Sequence, residues 1–129
     1  MTEELTDLEK RLRHNLKTIR ESLDADVIDA DITTVQNKLF KLTQLAGLAA
    51  ESKGTAKKLL EVARLNAFVV AREEGTTGNL AMVQINGLCA NEHGLYEYAD
   101  QLSAKITTAC DAFRSAISLY KSELENSLK

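Results

Sequence analysis

Residues 32–70 read ITTVQNKLFKLTQLAGLAAESKGTAKKLLEVARLNAFVV, and this stretch decides the fold. Ile32, Leu39, Ala46, Lys53, Leu60 and Ala67 recur every seven positions, and so do Val35, Leu42, Ala49, Ala56, Ala63 and Val70. Apolar positions at a seven-residue period in one shared register mark a helix that packs against another helix along its length. A continuous helix over residues 31–73 is therefore predicted. Ser52, Lys53, Gly54 and Thr55 offer a C-cap followed by an N-cap, which would split that helix. Continuity is favoured, because the register passes Gly47 and Gly54 unshifted.

Working outward, Gly75-Thr76-Thr77-Gly78-Asn79 combines two glycines, two hydroxyls and an Asn that could cap the next helix, so residues 75–79 are predicted to turn the chain. A last helix is expected over residues 80–128. Leu95, Ile106, Ile117 and Leu128 recur every eleven residues in it, as do Leu102, Phe113 and Leu124. An eleven-residue period corresponds to about 3.67 residues per turn, a nearly straight helix surface. Gly87 and Gly94 flank Asn91, Glu92 and His93, where this helix could kink over residues 87–94. Upstream, a first helix over residues 3–24 would start after Thr2 as N-cap, with Glu3 and Glu4 in its first turn. Its apolar positions Leu5, Leu8, Leu12, Leu16, Ile19 and Leu23, with Val27 next on the same line, hold helical spacing. Asp24, Asp26, Asp29 and Asp31 then interrupt the pattern as a turn, Asp29 or Asp31 capping the second helix.

Composition agrees. The chain has 129 residues and no proline, where about six would be expected at average usage, so nothing interrupts long helices. No strand pattern is present. The expected fold is all-α: a short N-terminal helix on a long antiparallel helical hairpin, three helices in coiled-coil fashion. The alternative is a four-helix bundle broken at Gly54 and near Gly94. Apolar runs end well short of the roughly 20 residues of a membrane span. No cationic-then-apolar leader opens the chain, so a cytoplasmic location is expected, or the host cytoplasm for a viral protein. Cys89 and Cys110 are expected as reduced core thiols.

The lengths carry the functional expectation. The two long arms would run about 60–70 Å, and a first helix of about 22 residues covers only half of them. Val35, Leu39 and Leu42 should pack against Ile106, Phe113 and Ile117 in the covered half. The other half holds Leu65, Phe68, Val69 and Val70, followed after the turn by Leu80, Met82, Val83 and Ile85, apolar around much of the circumference. Such surfaces mark interaction sites. The four-helix alternative would bury this tip within one chain.

Other chemistry is thin. Lys10, Arg13, Lys17 and Arg20 share one side of the first helix and could meet phosphates, although no aromatic residue lies within the stripe to stack a base. The net charge of −3 argues against a general nucleic-acid coat. The four aspartates lack the Gly and Glu of a calcium loop at their required positions. Gly75-Thr-Thr-Gly78 has the spacing of a GxxG clamp without the strands that clamp needs. Cys89 and His93 could be neighbours, with no third group to make a catalytic site. No enzyme, metal, cofactor or small-molecule substrate is indicated. The expected function is a helical assembly or adaptor protein that self-associates or binds a protein partner through the apolar tip. The alternative is an accessory nucleic-acid-binding protein, comparable in architecture alone to phage recombination mediators or DNA-packaging subunits, using the basic stripe in an oligomer.

Overall fold

A computed structural model describes residues 3–23 and 32–128. They form four helices and no strand: α1 (Glu3–Leu23), α2 (Ile32–Glu73), α3 (Gly78–Leu88) and α4 (Ala90–Ser127). The expected caps at Thr2, Asp29 and Asp31 lie outside the described residues.

Helix α2 is unbroken over 42 residues, about 63 Å, so neither Gly47 nor Gly54 divides it. Helical register won there because its apolar lines stay in contact with neighbours on both sides of the glycines. Lys53, the one charged member of those lines, is explained by its partner: its Nζ lies 2.7 Å from Asp100 Oδ1 on α4. That bond raises the Lys53 pKa.

The helix stops through backbone chemistry. Gly75 takes φ +71°, in the left-handed region that favours glycine. The Thr76 N–H donates to the Ala71 carbonyl at 2.9 Å and the Gly75 N–H to the Arg72 carbonyl at 3.1 Å. This pair of bonds is the Schellman closure, which satisfies carbonyls that the helix end leaves open. Gly78 repeats the left-handed conformation at φ +64°. The capping position of α3 is Thr77, in extended backbone, and not Asn79, which already lies inside the helix. The turn thus needs both glycines, and the helix after it starts two residues earlier than the sequence pattern suggests.

The expected single arm over residues 80–128 is instead two helices. Cys89 interrupts it with φ −100° and ψ 6°. Helical hydrogen bonding nevertheless spans the break: the Cys89 N–H donates to the Ile85 carbonyl at 3.1 Å, and the His93 N–H to the Cys89 carbonyl at 2.9 Å. The break at Cys89 falls within the kink expected over residues 87–94 and leaves these helical hydrogen bonds intact. Both α3 and α4 pack along α2. Their order is antiparallel to it: Leu60 and Ala67 share a cluster with Cys89 and Ile85, while Leu42 lies by Ala109 and Phe113.

Helix α1 lies mainly against α2 and touches α4 less. Leu12, Leu16 and Ile19 enter one core with Leu42, Ala49, Ala56 and Leu59 of α2 and with Leu95, Ala99, Leu102, Ile106 and Cys110 of α4. Leu39 and Phe113 pack half-buried against it, as their spacing predicts. Alanines at 49, 56 and 99 let the helix backbones come close. Ser52 is buried among them without a hydrogen-bond partner for its hydroxyl.

The accessible surface is 9008 Å² for 14.2 kDa. A compact monomer of that mass exposes about 6,800 Å². The chain leaves an unusual share of itself in water, as an elongated helical bundle does.

Candidate interaction site

Helix α1 begins beside the last third of α2. Its Leu5 and Glu9 line a cavity of ≈ 220 Å³ with Leu59, Val62, Ala63, Asn66, Ala67, Val70, Leu88 and Glu92. Past Val70 the last turn of α2 and the first part of α3 continue as a pair. Leu65 (64% exposed), Phe68 (54%), Leu80 (74%), Met82 (57%) and Val83 (68%) project into solvent, and Val69 and Val70 are also exposed. The four-helix alternative, in which the chain buries its own tip, does not describe this arrangement.

One expected member has a double place, lining the tip groove from its inner side. Ile85 is half-buried against Leu60, Ala67 and Cys89 and fixes α3 onto α2. Leu88, which sequence reasoning passed over, is 54% exposed. Its four-residue spacing from Gln84 and Leu80 could have shown that it shares their side of the helix.

The two sides of the α2–α3 pair differ. On one, Gln84 Nε2 donates to Glu74 Oε2 at 2.6 Å, a polar closure between the helices. The other is an open groove of ≈ 380 Å³ lined by Phe68, Ala71, Arg72, Gly75, Thr76, Thr77, Gly78, Ala81, Met82 and Ile85. Large apolar side chains wall this groove, and small residues form its floor and end.

The basic stripe on α1 is exposed at Lys10, Arg13, Lys17 and Arg20. Arg13 is engaged within the chain. Its guanidinium donates to Glu9 Oε1 at 3.0 and 3.2 Å and to Asn91 Oδ1 at 2.9 Å, while Asn91 Nδ2 donates to the same Glu9 oxygen at 3.0 Å. Lys17 stands 4.0 Å from Glu21. Folding also brings an aromatic residue to the stripe: Tyr98 lines a shallow groove with Arg13, Leu16, Lys17, Arg20 and Leu95. Tyr98 lies on α4, far along the chain from Arg20, so no local reading of α1 could find it.

The Asn91 hydrogen bond, and then the Arg13 guanidinium, hold the Glu9 carboxyl below its usual value. A carboxylate with a depressed folded-state pKa stabilises the fold above its unfolded value, and that contribution disappears as pH falls through the folded value. Asn91→Ala is expected to cost about 1 kcal/mol at neutral pH. The loss should shrink as Glu9 protonates in acid. Urea melts of both proteins at neutral and acid pH measure it; a pH-independent difference would remove Glu9 from the account.

The Cys89–His93 pair does not form a reactive site. Burial pushes the Cys89 thiol up, the charge of Glu92 adds to this, and Arg64 opposes it. The His93 ring faces Glu97, with Nδ1 at 3.5 Å from Oε1. Cys89 and Cys110 are both buried free thiols. Among the described residues, no three of His, Cys, Asp and Glu gather as metal ligands, and no helix is long and apolar enough to cross a membrane.

Fold and surface together define an all-α, bundle-like protein with exposed apolar side chains at the α2–α3 tip and, at the other end, at Phe40, Leu119, Tyr120 and Leu124. No protein-family model, curated protein or solved structure matches the chain.

Proposed function

We propose that this is a non-enzymatic helical assembly or adaptor protein whose working surface is the tip formed by the end of α2 and by α3. The observation that carries the reading is the exposure of Leu65, Phe68, Val69, Val70, Leu80, Met82, Val83 and Leu88 where the end of α2 gives way to α3. Apolar surface of this extent is costly in water and gains free energy when a partner covers it, roughly 25 cal/mol for each Å² buried. Replacing Phe68 and Val83 by Asp together should abolish association through the tip without unfolding the chain, since both side chains already face solvent. Light scattering reports the association and circular dichroism the helix content. An assembly that survives the double replacement places the interface elsewhere.

A second reading is nucleic-acid binding along α1. It is favoured by the exposed cationic row and by Tyr98 in the groove beside it. Such binding should weaken at least tenfold between roughly 50 and 200 mM salt and further on Lys17→Glu. Absence of single- and double-stranded DNA binding at the lower salt rejects it.

A further inference from the structure

We infer that the occupant of the Phe68–Met82 groove is a second copy of this chain, packed through a two-fold axis so that each tip fills the groove of the other. The inference rests on the reading of the tip as an interaction site and adds the identity of its partner.

Shape favours a second copy. A two-fold interface uses the same patch on both copies, so that patch must carry both projections and recesses. This groove does: Phe68 and Met82 project from its walls, and Ala71, Gly75, Gly78 and Ala81 leave room along its floor. Two tips laid together turn two helix pairs into a four-helix bundle, supplying what α1 supplies in the other half of the molecule.

Size limits the contact. Of the exposed large apolar side chains Phe68 and Met82 line the groove, and the others of the tip lie outside it. One two-fold contact covers the groove and its adjoining rims and leaves the rest. The expected contact therefore falls at the smaller end of stable interfaces, with a dissociation constant on the order of micromolar.

Charge points the same way. Between residues 64 and 88 the ionisable groups other than a tyrosine or thiol are Arg64, Arg72, Glu73 and Glu74, two of each sign. A strongly acidic or basic partner finds no complement here. A copy of the same tip does, because a two-fold axis can set Arg72 of one chain near Glu73 of the other.

The test uses the full-length chain and two single variants, Phe68→Asp and Met82→Lys. Sedimentation across roughly 1 to 300 µM should show a monomer–dimer equilibrium for the unaltered chain. Each variant alone should dissociate at least about 30-fold more readily, the effect of one central interface residue. Mixed in equal amounts, they should recover part of the association, because one Asp then faces one Lys across the axis. Dimers that persist in both variants overturn the tip reading itself. A chain that stays monomeric throughout overturns the second-copy inference. In that case the dye ANS separates the two ideas. Dye bound by the unaltered monomer and lost on Phe68→Asp leaves a bare tip open to a different protein, whereas no bound dye rejects both.

Discussion

Ile106→Ala is expected to destabilise the chain by about 2–5 kcal/mol and to lower Tm by roughly 10–20 °C. Ile106 is 1% exposed and belongs to the core that Leu12, Leu16 and Ile19 of α1 share with α2 and α4. Truncation removes three carbons from a place where three helices meet. The surrounding residues sit on continuous helices, so a single side chain's worth of space cannot be refilled without moving a whole helix. The cavity penalty therefore adds to the lost transfer free energy. Natural domains hold only about 5–15 kcal/mol in reserve, so much of the stability would go. Urea unfolding followed by circular dichroism measures it. A loss below about 1 kcal/mol would mean that the space collapses and that Ile106 is not central.

Ala56→Leu should destabilise for the opposite reason, by about 1–3 kcal/mol. Ala56 is fully buried, on the face of α2 that meets the shared core. Leucine forms helix about as readily as alanine, so propensity cannot account for a change. The added bulk must push a neighbouring helix outward, and α1 is held less extensively than α4. Faster amide exchange along α1 than along α4 would locate the displacement. Ala50→Leu on the exposed side of the same helix is the control and should change stability by less than about 0.5 kcal/mol. Equal effects at both positions would contradict the packing described for α2.

The two substitutions also separate stability from the proposed activity. Neither Ile106 nor Ala56 touches the tip groove, and Phe68 and Met82 lie outside the main core. Protein–protein association and fold stability should then respond to different sets of replacements, within the additivity expected of distant sites.

Much of the fold was legible because helices declare themselves locally. The paired seven-residue lines settled α2 through Gly47 and Gly54, and the spacing of Leu12, Leu16 and Ile19 gave the buried face of α1. The turn at Gly75 and Gly78 was equally visible, since only glycine adopts its left-handed backbone without strain. One thing was misplaced: the cap lies at Thr77 and not at Asn79, a dihedral choice that several neighbouring residues could make equally well. The break at Cys89 falls within the kink expected over residues 87–94. Ile85 packs against Leu60 and Ala67 while it also lines the tip groove.

Sequence repeats also show which side of a helix seeks cover but not whether cover exists. Leu95 and Ile106 of the eleven-residue line are buried, Ile117 is half-buried, and Leu128 at its end is 81% exposed. The tip obeys the same logic. Helix lengths indicated that α1 would fall well short of it, yet α1 reaches Val70 and Leu88, and the exposed groove between Phe68 and Met82 arises only when α3 folds back on α2.

By itself the sequence determined the helices and most of their buried faces, because each comes from periods along the chain. Only the tertiary structure decided that Arg13 is tied to Glu9 and Asn91, that Tyr98 joins the basic row, and that one side of the tip closes while the other stays open. Those features join residues far apart in the chain, and their energies depend on distances that no local pattern encodes.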